Sequence, residues 1–261
     1  MAADGSGTAR DEAGQFAASM PDTYREGFAD AATEHAAIVA RRGGRVAHLE
    51  RWRALEDGTS ILCVVADDRA GLLSTICRVF VANDLDVVMA QVHCRKRPGL
   101  LPEAFDLFWL RKRKGDGGGE LSEAVIEKLA KEVEIAVARN GQSTLPPGMA
   151  GPMGAFGSAP PPRVYFNTNA LRRGEYVLIV EALDCPGLLL AISLALHREG
   201  LEITSSSVLT EGRIARDSFV LLGPGGKPMS SDRLAAIRQA VVEAVRKRLI
   251  ESEATSQAER G

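Results

Sequence analysis

Two stretches of the chain share one alternation of apolar strands and amphipathic helices. In the first, 61–66 is a nearly continuous apolar strand, and a helix follows it with apolar residues three and four positions apart. Two more strands, 87–94 and 104–111, precede a second amphipathic helix that reaches about residue 140. The second stretch repeats this order with strand 176–182, helix 187–198, strands 202–210 and 216–222, and a last helix.

The order β-α-β-β-α predicts an α+β fold of two ferredoxin-like domains in tandem. Only polar residues, 251–261, follow the last helix, so the second unit has no later strand with which to close its sheet. We expect the strands that precede the two units, 45–52 and 163–167, to supply the missing sheet edges.

The remaining sequence predicts the domain boundaries. Small polar residues make 1–20 a disordered tail, and the spacing of Tyr24, Phe28, His35 and Ile38 predicts an N-terminal helix over 21–44. The first domain then covers 45–140 and the second covers 163–250. Proline and glycine without apolar periodicity predict a linker over 141–162, and 251–261 is a polar tail.

The same turn joins the first strand to the first helix in both units. Its glycine recurs from position 71 to position 187, a displacement of 116 positions. The first copy consists of Asp68, Arg69, Ala70, Gly71, Leu72 and Leu73, and the second of Asp184, Cys185, Pro186, Gly187, Leu188 and Leu189.

A glycine at this point lets the backbone approach another group closely, and the first N–H groups of the helix are left unpaired. Those donors and the positive end of the helix dipole suit a carboxylate. Asp68 and Asp184 could receive an ammonium group, so the turn suits an amino acid. Proteins that bind nothing there also use a glycine turn with an aspartate cap, and that alternative stays open.

Composition, net charge and cysteine spacing limit the kinds of partner that we expect for the chain. The 261 residues are 45% apolar and 25% charged with a net charge of −2, which gives no electrostatic case for nucleic acid or an anionic membrane. The four cysteines lack metal-type spacing, and no apolar run reaches the about 18 residues of a membrane span. We therefore expect a soluble cytoplasmic protein without a metal.

The two turns, together with Asp-x-Phe at 106–108 and 217–219, resemble the signature of ACT domains, which are regulatory modules that bind amino acids at domain interfaces. Residues 20 to 249 resemble the C-terminal region of the bacterial nitrogen-sensing uridylyltransferases. In that family two ACT domains are taken to sense glutamine and to control separate catalytic domains, so the resemblance implies glutamine as the ligand.

The family's catalytic motifs are missing from this sequence. Gly5-Ser6 is not followed by the Asp-x-Asp of a nucleotidyltransferase, and no histidine precedes an aspartate as in the hydrolase metal pair. We therefore expect no enzyme activity, no catalytic residues and no cofactor. Ala70 replaces the usual turn proline and Cys185 the usual arginine, so the two copies need not bind equally.

The sequence thus predicts a non-catalytic amino-acid sensor, with glutamine as the expected ligand. Its predicted ligand-binding residues are Asp68, Arg69, Ala70, Gly71, Leu72, Asp184, Pro186, Gly187 and Leu188. Expected partners are a second copy of the chain and a protein of nitrogen or amino-acid regulation. Two alternatives remain: a ligand-free scaffold for dimerisation or docking, and a divergent nucleotidyltransferase-related enzyme.

Overall fold

The structure, a computed structural model, describes residues 5–112, 119–139, 160–167 and 174–258, without the side chains of 5–10 and 255–258. Its α-helices are α1 Gly5–Ser19, α2 Asp22–Phe28, α3 Ala32–Arg42, α4 Leu72–Ala82, α5 Glu123–Ala138, α6 Leu188–Arg198 and α7 Ser231–Ala258. Its strands are β1 Ala47–Ala54, β2 Ser60–Asp67, β3 Leu85–Arg95, β4 Glu103–Lys112, β5 Arg163–Asn167, β6 Glu175–Leu183, β7 Glu202–Glu211 and β8 Ile214–Leu222.

All eight strands form one antiparallel sheet in the order β1-β2-β4-β3-β7-β8-β6-β5. In the first half β1 lies beside β2, with Leu49 opposite Val64, and in the second half β5 lies beside β6, with Tyr165 opposite Ile179. The strands that precede the two units therefore form the two edges of this sheet, as predicted. The predicted α+β architecture of two ferredoxin-like domains is confirmed.

The two domains join through β3 and β7. Gln91 lies opposite Ser207 at the centre of this pairing, and the Gln91 Nε2 group donates a hydrogen bond of 3.0 Å to the Ser207 hydroxyl. These two residues are 116 positions apart, the same displacement as the turn glycines. A pseudo-twofold axis thus passes between them, and it brings the first helix of each repeat, α4 and α6, into contact.

Helices α4 to α7 cover one face of the sheet, and α1 to α3 cover the other face of the first half. The second core beneath α1 to α3 joins Phe16, Tyr24 and Ile38 to Val65 and Phe105 of the sheet. Strands β2 and β4 are therefore buried on both faces, which explains the continuous apolar run 61–66 of β2 and the mostly apolar sequence of β4.

The disorder predicted over 1–20 does not hold for residues 5–20, the part of this segment that the structure describes. Residues 5–19 form α1, and Phe16 and Met20 are only 4% and 2% exposed. The Phe16 ring lies 5.4 Å from the Phe105 ring, centroid to centroid, at an edge-to-face angle. An apolar sheet face supplies the burial that this mostly polar segment lacks by itself, and local composition does not report such a contact.

Two other boundaries differ from the prediction, and one falls outside the described residues. The helix predicted over 21–44 is interrupted by a 3₁₀ turn at Ala29–Ala31, which separates α2 from α3. The polar tail predicted over 251–261 is helical as far as Ala258, and at its start Glu251 is buried with its carboxylate 3.4 Å from Arg248. Of the predicted linker, 141–159 lies outside the residues that the structure describes.

Candidate functional site

The first repeated turn presents the start of α4 without a side-chain cap. Gly71 occupies the N-cap position with φ +80° and ψ +6°, a left-handed conformation that favours glycine. The hydroxyls of Ser74 and Thr75 both donate to the Gly71 carbonyl at 2.9 Å. The Asp68 N–H donates to the Pro102 carbonyl at 2.8 Å, so the turn is held on both sides.

A cavity of about 210 Å³ lies between this turn and the second domain. The first domain contributes the turn together with Val92, Cys94 and Asp106 of β3 and β4. The second domain contributes Ser193 and His197 of α6 and Leu201, Glu202 and Ile203 at the start of β7. The cavity thus exists only because the two repeats pack against each other.

The structure brings the five predicted residues of the first turn together at this cavity. Asp68 and Gly71 are half-buried and Ala70 is exposed, whereas the Leu72 side chain is buried in the core. One guanidinium nitrogen of Arg69, Nη2, donates to the Val137 carbonyl at the end of α5. Asp68 and the main chain around Gly71 are therefore the groups best placed to meet a ligand.

Carboxyl groups dominate the electrostatics of the cavity. Burial raises the pKa of Asp68, although the Cys94 thiol donates a hydrogen bond to this carboxyl. Asp106 is 1% exposed, and burial together with the nearby Asp68 raises the pKa of this carboxyl well above its usual range. The environment therefore favours a cationic or neutral hydrogen-bond donor over an anion at the Asp106 end.

The second turn is nearly closed. Gly187 has φ +78°, but the space that it shares with Asp184 and Leu188 has a volume of only about 20 Å³, roughly that of one water. The Val81 side chain lies over Gly187, at the position that His197 occupies over Gly71. Pro186 is absent from the walls of that space. Among the residues that the structure describes, the space at the second copy is therefore too small for a ligand such as an amino acid.

An exchange of arginines compensates for the substitution at Cys185. In the first repeat Arg69 of the turn donates to the carbonyl of Val137 on the second helix. In the second repeat the donor comes from that helix instead, because Arg248 Nε of α7 donates to the Pro186 carbonyl of the turn. The guanidinium that seemed lost from the turn sequence is supplied by α7.

Sequence reasoning missed most of the other residues that line the first cavity, and four of them bear on its chemistry: Asp106, Ser193, His197 and Glu202. Asp106 belongs to the repeated Asp-x-Phe motif, so the motif did carry a signal for it. The other three come from the second domain, and nothing local to the first turn indicates them. The repeat spacing of 116 positions would have indicated these residues only if the pseudo-twofold pairing of the two domains had also been known.

No family model matches the chain. Curated proteins do match, and they carry one name. The bifunctional uridylyltransferase/uridylyl-removing enzyme of Streptomyces coelicolor is 28% identical over 192 residues, which cover 71% of this chain and 22% of the enzyme. The enzyme of the same name from Rhodopseudomonas palustris is 32% identical over 188 residues, covering 69% of this chain and 19% of the enzyme. This chain is a homologue of part of these enzymes.

The chain spans about a fifth of the length of these two relatives. Among solved structures, aspartate kinase from Synechocystis aligns with 71% of this chain and 27% of its own, at a TM-score of 0.36 and 12% identity. Within the described residues, three or more histidine, cysteine or acidic side chains are nowhere clustered as metal ligands would be. None of the described helices combines the length and apolarity needed to cross a membrane.

Proposed function

We propose that this chain is a non-catalytic regulatory protein that binds a small amino acid in the cavity at Gly71. The observation that carries the proposal is the joint construction of this cavity from the first turn of one domain and α6 and β7 of the other. A ligand there contacts both domains, so its binding energy depends on how they are paired.

The chemistry of the cavity supports a zwitterionic ligand. The start of α4 offers main-chain N–H groups and the positive end of a helix dipole to a carboxylate. Asp68 and Asp106 offer carboxyl oxygens to an ammonium group. Glutamine is the preferred candidate because its side chain is uncharged and because the sequence resembles the glutamine-sensing region of the uridylyltransferases.

Regulation requires only a modest energetic effect. Effector couplings are typically about 1–3 kcal/mol, and a ligand that bridges two domains can supply that by favouring one packing of α4 against α6. The regulated partner would be a protein of nitrogen or amino-acid metabolism, and a second copy of the chain could pair with the first.

A thermal-shift screen of the purified chain against the twenty amino acids and several nucleotides tests this proposal. Ligand at 100 times its dissociation constant adds about 2.7 kcal/mol of stability. We expect glutamine to raise the melting temperature, Gly71→Val to abolish that rise and Gly187→Val to keep it.

If no amino acid raises the melting temperature, the result contradicts the sensor and favours the ligand-free scaffold. A rise with a nucleotide, followed by metal-dependent turnover, would favour the enzyme alternative.

A further inference from the structure

The buried end of the Gly71 cavity contains a carboxyl oxygen that makes no hydrogen bond within the part of the chain that the structure describes. Asp106 lies in β4 and is 1% exposed, and its side chain lines the cavity. Its Oδ1 atom has no hydrogen-bond partner among the described residues. The main chain of His93 donates a hydrogen bond to this carboxyl, so the side chain is only half satisfied. A buried oxygen of this kind is costly unless a ligand or water completes it.

Titratable and charged groups surround this carboxyl on the elements packed against it. They are Asp68 and Arg69 of the turn, Cys63 of β2, Cys77 of α4, Cys94 of β3, His197 of α6 and Glu202 of β7. Burial raises the pKa of all three thiols, so Cys63, Cys77 and Cys94 are neutral near pH 7. Glu202 disfavours the ionised Asp68 carboxyl, just as Asp68 disfavours the ionised Asp106 carboxyl.

We propose that Asp68 and Asp106 form a cation subsite at the buried end of the cavity, and that an entering ammonium group displaces one proton from Asp106. This inference rests on the proposed function and deepens it. The O–H bond of the neutral Asp106 carboxyl breaks, its proton passes to solvent buffer, and the carboxylate accepts an N–H of the ammonium. No electrons are transferred.

Charge balance in the cavity links ligand binding to the protonation of Asp106. With the cavity empty, burial and the neighbouring Asp68 carboxyl both raise the pKa of Asp106 and so favour its protonated form, while the Arg69 guanidinium of the same cavity donates to the Val137 carbonyl. A ligand ammonium supplies the missing charge and makes the ionised form favourable. Binding and proton release are then linked, so affinity rises with pH by up to about tenfold per unit while free Asp106 stays protonated.

Calorimetry with L-glutamine tests the linkage. We would measure the binding enthalpy at pH 7 in two buffers of different ionisation enthalpy, and the dissociation constant at pH 6, 7 and 8, where glutamine keeps its ammonium group. We expect the wild-type chain to release close to one proton and to bind more tightly at each higher pH.

The variant Asp106→Asn keeps the size of the side chain but cannot ionise. It should release no proton, bind glutamine at least about tenfold more weakly at pH 8, and show no dependence of affinity on pH. Asp217→Asn is the matched control, because Asp217 is the equivalent residue of the second repeat and lines the space of only about 20 Å³. It should bind glutamine and release a proton as the wild type does.

Glutamine binding without proton release, or Asp106→Asn with unchanged affinity and unchanged proton release, would overturn this inference but leave the sensor intact. Failure of the wild-type chain to bind any amino acid would overturn the proposed function, and this inference with it. Should Asp106→Asn fail to fold, as circular dichroism would reveal, the proton count and pH dependence of the wild type still decide the question.

Discussion

Alanine at either turn glycine should lower stability, but only one of the two substitutions should remove the ligand response. Gly71 and Gly187 have φ values of +80° and +78°. A residue with a side chain pays about 1–2 kcal/mol for this left-handed conformation. The free energy of unfolding of Gly71→Ala and of Gly187→Ala should therefore fall by about that amount.

The two sites differ in what the added methyl group meets. At Gly71 it would lie 2.9 Å from His197 Cε1, with both ring nitrogens within 3.1 Å, so the imidazole must move. His197 is a wall of the 210 Å³ cavity, and its displacement alters the ligand site. At Gly187 the nearest atoms are Arg248 Nε at 3.2 Å and Val81 Cγ2 at 3.6 Å, beside a space that is already closed.

Urea denaturation and thermal melting, with and without glutamine, separate the two effects. Both variants should melt about 2–8 °C below the wild type, since 1 kcal/mol shifts the melting temperature of a chain of this size class by about 2–4 °C. Glutamine should stabilise the wild type and Gly187→Ala but not Gly71→Ala. Retention of the glutamine response in Gly71→Ala, with its loss in Gly187→Ala, would refute this reasoning.

Three further predictions concern buried polar groups outside the ligand cavity. Glu103→Ala should lower the free energy of unfolding by about 3–5 kcal/mol in urea titrations, because Glu103 and Arg42 form a buried ion pair of 2.7 Å. Glu211→Ala is the control: it breaks an exposed ion pair with Arg216 and should change the free energy of unfolding by less than about 1 kcal/mol. Ser206→Ala should leave the melting temperature unchanged or raise it, because the buried Ser206 hydroxyl has no hydrogen-bond partner among the described residues. A clear fall in the melting temperature would show that this hydroxyl makes a hydrogen bond in solution. Burial, and to a smaller extent the nearby Asp184 carboxyl, raises the pKa of Asp217 to about 8. The native state therefore holds a proton that the unfolded chain releases near pH 4, so the free energy of unfolding should decline between about pH 4 and pH 8. Urea titrations of Asp217→Asn across that range should show a shallower decline.

The fold was predictable because its signals are local and repeated. Apolar spacing in α4 and α6 and the recurrence of Gly71 at Gly187 lead directly to two ferredoxin-like units. The helix α1 was not predictable in the same way. It is held by Phe16 and Met20 on a sheet face more than 80 residues away in sequence at Phe105, a contact that no local pattern reports.

The candidate site was only half predictable. Asp68 and Gly71 stand in a recognisable turn, but the other half of the cavity comes from α6 and β7 of the second domain. Asp106 lies in a strand that is buried on both faces, so alternation could not show which face it occupies. The two spaces differ in size because of single exchanges at equivalent positions. His197 and Ser193 line the larger space at Gly71, whereas their equivalents Val81 and Cys77 line the smaller space at Gly187.

The most direct test of the central claim is an experimental structure of the chain with glutamine bound. We predict one glutamine per chain in the cavity between the Gly71 turn and α6, with its ammonium group at Asp68 and Asp106 and its carboxylate at the start of α4. Glutamine at the Gly187 turn, or at an interface that involves neither turn, would contradict the account.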